Sequence, residues 1–345
     1  MISLRDINTE NKYDETDERK LKIADVMSIF TNPPIITIPL FLIICAILAC
    51  NGTPFTSGFS FDWNQFIITE LISLIFASIL PMAIILHWAR KLDTDKDISN
   101  REDRFVPLIV GVVSYFIGFV ISLILGVSNF VTVLILCYTV NTFIVMLITS
   151  KWKISIHTTG LSGPVAALIM LLGPIGAIFG LLYPILIWSR FTLKKHTMAQ
   201  AIAGGVFGFI MTVVEAYLYM NLLNLPVSNL VPLGECLWII LGLILIPIIL
   251  GIMTILNENG TRNTRTIFYL MCILSIAFFV VFAPASALIT LILTIIVSIA
   301  VSYFGGENFS WYVAIKWFNS KFKEEKISHG IWLWNDLIVN LNIIK

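Results

Sequence analysis

Charge is scarce in this chain. Lys, Arg, Asp and Glu make up 12% of its 345 residues against 58% hydrophobic, with a net charge of +1. Soluble globular domains carry about 25% charged residues, so a water-soluble enzyme or binding module of this length is excluded, and no nucleic-acid partner is expected. The apolar runs lack strict alternation, which excludes a closed β-barrel and leaves helices as the way to satisfy the backbone in lipid. Cysteines are few: Cys45, Cys50, Cys137, Cys236 and Cys272 lie scattered in apolar runs without metal-ligand spacing and read as packing residues. A basic start followed by an apolar core is missing too. Residues 1–34 hold seven acids and five bases, so no cleavable signal peptide is expected and the first span acts as the insertion signal.

What is present is a series of long apolar segments. Crossing about 30 Å of hydrocarbon takes about 20 residues of helix. On that measure the chain is an all-α, polytopic transmembrane helix bundle of about ten spans: 35–51, 66–88, 105–125, 129–149, a pair at 157–172 and 174–189, then 199–221, 231–254, 267–283 and 285–304. Residues 1–34 read as a cytoplasmic tail ending in a short interfacial helix, 35–221 as a membrane domain with a six-helix core at 66–221, 222–304 as additional helices, and 305–345 as an amphipathic cytoplasmic tail. Ten spans put all 22 Lys and Arg on one face. Positive residues cluster in the cytoplasm, so both termini and that face are expected there.

The chain is organised around Lys151–Gln200. His157 and His196 each stand where an apolar segment meets a basic loop, and the charge-free run Leu161–Trp188 reads as two helices broken at Gly173-Pro174. Such a hairpin returns both histidines to one face. The most charged stretch, His87–Pro107, lies two spans earlier and therefore on the same face. Within it Arg101 and Arg104, three apart, share one side of a helical turn, and paired guanidinium groups suit the oxygens of a phosphate. Downstream, Gly204, Gly205 and Gly208 give the 199–221 span a face for close helix packing.

Three clusters resemble the motifs of the type 2 phosphatidic acid phosphatase and haloperoxidase superfamily. Ser155-Ile156-His157 resembles the second, Pro-Ser-Gly-His, with Ile in place of Gly and no proline before the serine. Ser189-Arg190, five residues and His196 resemble the third, Ser-Arg-x5-His-x3-Asp, with Gln200 in place of the aspartate. Lys96 to Arg104 stands for the first, Lys-x6-Arg-Pro, with one residue more between them and Pro107 three places after the arginine. The resemblance covers residues 91–205, and His196-Thr197-Met198-Ala199-Gln200 is similar to the His-Thr-x-x-Gln of the dolichyl-diphosphatase-like branch.

That resemblance implies a membrane lipid phosphatase acting on a lipid or isoprenoid phosphate or diphosphate, with neither metal nor cofactor. His196 would be the nucleophile, giving a phosphohistidine, His157 the general acid and base, and Gln200 the group that orients His196. Lys96, Arg104, Arg190, Ser155, Ser189 and backbone amides near Gly163 would bind the phosphoryl oxygens; Arg101 joins them on geometry alone. Two rivals stand beside it. A UbiA-type prenyltransferase would hold magnesium on Asp93, Asp95, Asp97 and Asp103, but needs a second acidic loop, for which the later cytoplasmic loops offer only Glu258. A transporter or inactive scaffold would fit the loss of the aspartate at Gln200 and the intramembrane Glu215. Glu215 lies 15 residues beyond Gln200, about 22 Å along a helix, so it cannot join the histidines.

Overall fold

The computed structural model describes residues 18–51, 59–92, 102–245, 283 and 285–305. They form an all-α bundle: α1 (Glu18–Phe30), α2 (Pro33–Ala49), α3 (Trp63–Lys91), α4 (Phe105–Leu125), α5 (Asn129–Thr149), α6 (Ile156–Leu172), α7 (Pro174–Thr192), α8 (Met198–Leu222), α9 (Leu233–Leu245) and α10 (Ala285–Gly305). Two-residue strands Cys50–Asn51 and Ser60–Phe61 pair antiparallel between α2 and α3.

Local chemistry sets the helix ends. Pro33 and Pro34 open α2, where a missing N–H costs no intrahelical bond. Asp62 accepts the Gln65 amide at the start of α3, and Gly126, with φ +61°, closes α4 in the left-handed conformation. Gly173 (φ +61°, ψ −131°) makes the turn between α6 and α7, the break expected at Gly173-Pro174.

Five described helices (α3, α4, α5, α7 and α8) are long and apolar enough to cross a membrane, and six if α1 and α2, bent by 56°, count as one span. Of the other expected spans, α6 has 17 residues, α9 is described only as far as Leu245 of the expected 231–254, and α10 runs for 21 residues. Span 267–283, its last residue aside, lies outside the described residues, as does the tail beyond 305.

The short helix α6 is the central one. From Leu161 to Met170 every residue of α6 is buried, and its neighbours are α2, α5, α7 and, most extensively, α8. A helix apolar all round suits such a place. By contrast Ile109, Val113, Phe116, Ile117 and Ile124 leave one face of α4 exposed, as a lipid-facing surface requires. Glycine makes the α6–α8 contact possible. A Cβ on Gly204 would lie 2.4 Å from Thr158 Oγ1 and one on Gly208 would lie 2.7 Å from the Thr159 carbonyl, so these two positions must be bare for the backbones to meet.

The N-terminal segment differs from the short interfacial helix expected at its end. α1 is a 13-residue helix whose inner face, Ala24 and Ser28, is buried against the end of α7.

Candidate functional site

Four helix ends meet at one end of the bundle. α6 begins at Ser155, whose hydroxyl caps the helix by accepting the Thr158 amide, so His157 stands in the first turn. α7 ends with Arg190 in its last turn. The loop that follows folds back on it: the amides of Lys195 and His196 both donate to the Arg190 carbonyl, at 3.1 and 3.4 Å. Lys194, with φ +54°, makes that reversal. α8 then starts in a capping box, Thr197 Oγ1 accepting the Gln200 amide and Gln200 Oε1 accepting the Thr197 amide. Two further bonds tie the loops together, from Ser155 N–H to the Gln200 carbonyl at 3.3 Å and from Lys153 Nζ to the Lys195 carbonyl at 3.0 Å. Arg104 ends a 3₁₀ turn immediately before α4.

This stitching brings Arg104, His157, Arg190 and His196 together, all buried, with Arg190 wholly inaccessible. His196, in the α7–α8 loop, is held far below the usual imidazole value. Burial is the main cause, followed by the charges of Arg104, Arg190, Lys153 and His157. Its imidazole is therefore neutral at pH 7, and neither ring nitrogen has a hydrogen-bond partner among the described residues. His157 in turn lies within the fields of Arg190, Arg104 and Lys195.

Other expected site residues are engaged elsewhere. Gln200 does not hold the His196 ring, because its side-chain carbonyl is committed to the helix cap. Gly163 is the eighth residue of α6, beyond the first turn where amides are free, so its N–H belongs to the helix rather than to a phosphate. Ser155 is spent on its cap, and Ser189 Oγ donates to the Ala24 carbonyl of α1 at 2.6 Å. Lys96, Arg101, Asp93, Asp95 and Asp97 lie outside the described residues, whereas Asp103 sits in the 3₁₀ turn beside Arg104. Among the described residues no three His, Cys, Asp or Glu side chains gather as metal ligands would.

Three residues at this end went unnoticed in the sequence. Lys153 and Lys195 flank the histidines and add positive field, a signal visible in the basic loops themselves. Ser28 gives none: it is an uncharged residue 162 positions before Arg190, yet its Oγ accepts a bond from Arg190 Nη1.

A cavity opens beneath the cluster. Arg104 and His157 line one part of it; deeper walls come from Gly111 and Tyr115 of α4, Tyr138 and Asn141 of α5, Gly163 of α6 and Thr212 of α8. Pro33, at the start of α2, packs closely on Gly160 and closes one side. A cavity with Arg104 and His157 in its lining and otherwise largely apolar walls has the form required to hold an anionic head group and the chain attached to it.

No family model matches this chain, and neither a curated protein nor a solved structure matches it.

Proposed function

We propose that this protein is an integral-membrane lipid phosphatase that hydrolyses a lipid or isoprenoid phosphate through a phosphohistidine. One observation carries the reading. Two arginines and two histidines from separate parts of the chain are buried within one another's electrostatic reach, and two of them, Arg104 and His157, line a cavity in the bundle.

In this reaction the cationic groups of Arg104 and Arg190, with Lys153 behind them, neutralise the phosphoryl oxygens and the charge that grows on them in the transition state. The neutral His196 ring uses a nitrogen lone pair to form a bond to phosphorus. The bond from phosphorus to the lipid oxygen breaks, and the proton that a monoanionic ester brings in passes through the His157 ring to that oxygen. His157, now neutral, takes a proton from water, whose oxygen attacks phosphorus and releases His196 and inorganic phosphate. The chain's own residues supply every group in this scheme.

The site departs from the family pattern at the back of the nucleophile. An aspartate would stabilise the cationic ring that forms on attack; here His196 is positioned by its own loop and by burial, and Gln200 is a capping residue. A slower enzyme than a carboxylate-backed one is expected. The same observation favours a second reading, a lipid-phosphate binding or carrier protein with no turnover.

The loops 150–155 and 193–197, which carry Lys, lie at the histidine end, as does Arg104, while 50–62, 126–128 and 223–232 contain no Lys or Arg. On the positive-inside rule we place that end in the cytoplasm.

Phosphate release by the purified protein from phosphatidic acid, a polyprenyl diphosphate and diacylglycerol diphosphate, in EDTA, tests the reading. Release that survives EDTA and disappears in His196→Ala supports the phosphatase. No release from any of them, with binding retained, favours the carrier.

A further inference from the structure

Two polar side chains deep in the cavity have no assigned role. Tyr138 and Asn141 of α5 line it and are more than nine-tenths buried. The Tyr138 hydroxyl and Asn141 Oδ1 have no hydrogen-bond partner among the described residues. Buried polar groups are nearly always paired, and leaving one unpaired is costly. Both are also held in place. Asn141 Nδ2 donates to Thr212 Oγ1 of α8 at 3.2 Å. The Tyr138 ring is fixed edge-on between Tyr115 and Phe41, at centroid distances of 5.5 and 5.7 Å.

Their depth follows from α6. Gly163, whose missing side chain would meet the Tyr138 ring and Thr212 Oγ1 at 3.6 Å, comes six residues after His157. At the helical rise this is about 9 Å below the histidine. The cavity is about 130 Å³, well above the about 10–15 Å³ that one water needs. It has room for a segment of chain.

We infer that this floor is a binding site for a hydroxyl carried on the lipid chain about 9 Å from its phosphate. The inference rests on the phosphate site proposed above only for where the head group lies. The chemistry selects the group. Asn141 Oδ1 accepts and needs a donor, whereas the Tyr138 hydroxyl has a proton to give. A hydroxyl gives one bond and receives the other. A carboxylate would set its oxygens against Oδ1, an ammonium would leave the tyrosine proton unused, and a plain methylene would strand both groups. The substrate class is accordingly a hydroxylated lipid phosphate rather than a wholly hydrocarbon one.

Two synthetic probes test this on the full-length protein in detergent: an n-alkyl phosphate, and the same molecule with one hydroxyl placed about 9 Å along its chain. Calorimetric Kd and phosphate release are measured for both. The hydroxylated probe should bind about tenfold tighter or more. Tyr138→Phe, which preserves volume, and Asn141→Leu should each bring the ratio of the two affinities close to one. Equal affinities in the unmodified protein, or a preference that survives both substitutions, would overturn the site and assign the floor to water. Preferential binding without phosphate release from either probe would keep the floor site and remove the hydrolytic reading. Release from both probes at equal Kd would do the reverse.

Discussion

At its mouth the cavity carries Arg104 and His157, with Arg190 and His196 beside them; at its floor it carries Tyr138, Asn141 and Thr212, all uncharged. The mouth is held by loop amides and helix caps, so its positions depend on a few backbone hydrogen bonds. The floor is held by ring contacts and an amide between two packed helices. Charge at the mouth interacts with any phosphate, whatever is attached to it, whereas neutral groups at the floor respond only to a partner of the right shape and polarity. On the proposed function, affinity and chemistry would belong to one end and discrimination to the other.

Substitutions at the mouth should break this division first. His196→Ala should reduce phosphate release to background for every ester tested, since the attacking nitrogen is gone; equal residual release from all esters would remove His196 from the mechanism. Arg190→Met, which keeps the length of a wholly buried side chain but removes its charge, should lower kcat by about 10²–10³ across the same panel. Phosphate-release kinetics with a saturating ester checks this.

The scaffold beneath both ends gives the next effect. A Cβ on Gly204 would lie 2.4 Å from Thr158 Oγ1 and 2.5 Å from the Ser155 carbonyl. Gly204→Ala should therefore push α8 away from α6 and cost about 1–3 kcal/mol, read as a lower Tm in detergent. Because Ser155 caps the helix that carries His157, activity should fall with it.

A smaller effect is expected from α1. Ser28→Ala removes the hydroxyl that receives the Arg190 Nη1 bond. Hydrogen bonds to charged groups contribute about 1.5–3 kcal/mol, and a phosphate oxygen can take the vacated donor, so KM should change several-fold with little change in kcat. Ser28→Thr should restore it.

The pH dependence is the mildest of these. An unfolded histidine titrates near 6.5, but His196 in the folded protein is held far lower, by burial first and then by Arg104, Arg190, Lys153 and His157. Below pH 6.5 the unfolded chain binds a proton that the folded chain refuses, so stability present at neutral pH is lost as pH falls. Thermal unfolding at pH 7.5 and 5.0 should show this loss, and His196→Gln should flatten it. An unchanged slope would mean that the ring is protonated in the folded state.

Much of the mouth was legible because titratable residues are rare here. In so apolar a chain, two histidines and a run of Arg and Lys stand out, and the even number of helical passes between their loops puts them at one end. The roles of single residues in those loops were less legible. Gln200 and Ser155 became capping residues because a helix start has four amides to satisfy, and this demand acts before any distant imidazole can. Gly163, the eighth residue of α6, lies beside the cavity with its amide inside the helix. Apolar length also does not separate a lipid-facing span from α6, 17 residues long, whose stretch Leu161–Met170 is buried in protein.

Composition and charge placement alone determined that this is an all-helical membrane chain with a basic histidine end, because the transfer of charge into hydrocarbon is costly enough to leave its mark on every segment. Only the tertiary structure decided which groups meet. Ser28 reaches Arg190 across 162 residues, and Tyr138 and Asn141 turn towards the same space as His157. Contacts of that kind depend on how closely helices approach. Here Gly204 and Gly208 set that approach for α6 and α8, and no pattern in the linear chain names the residue that a glycine lets in.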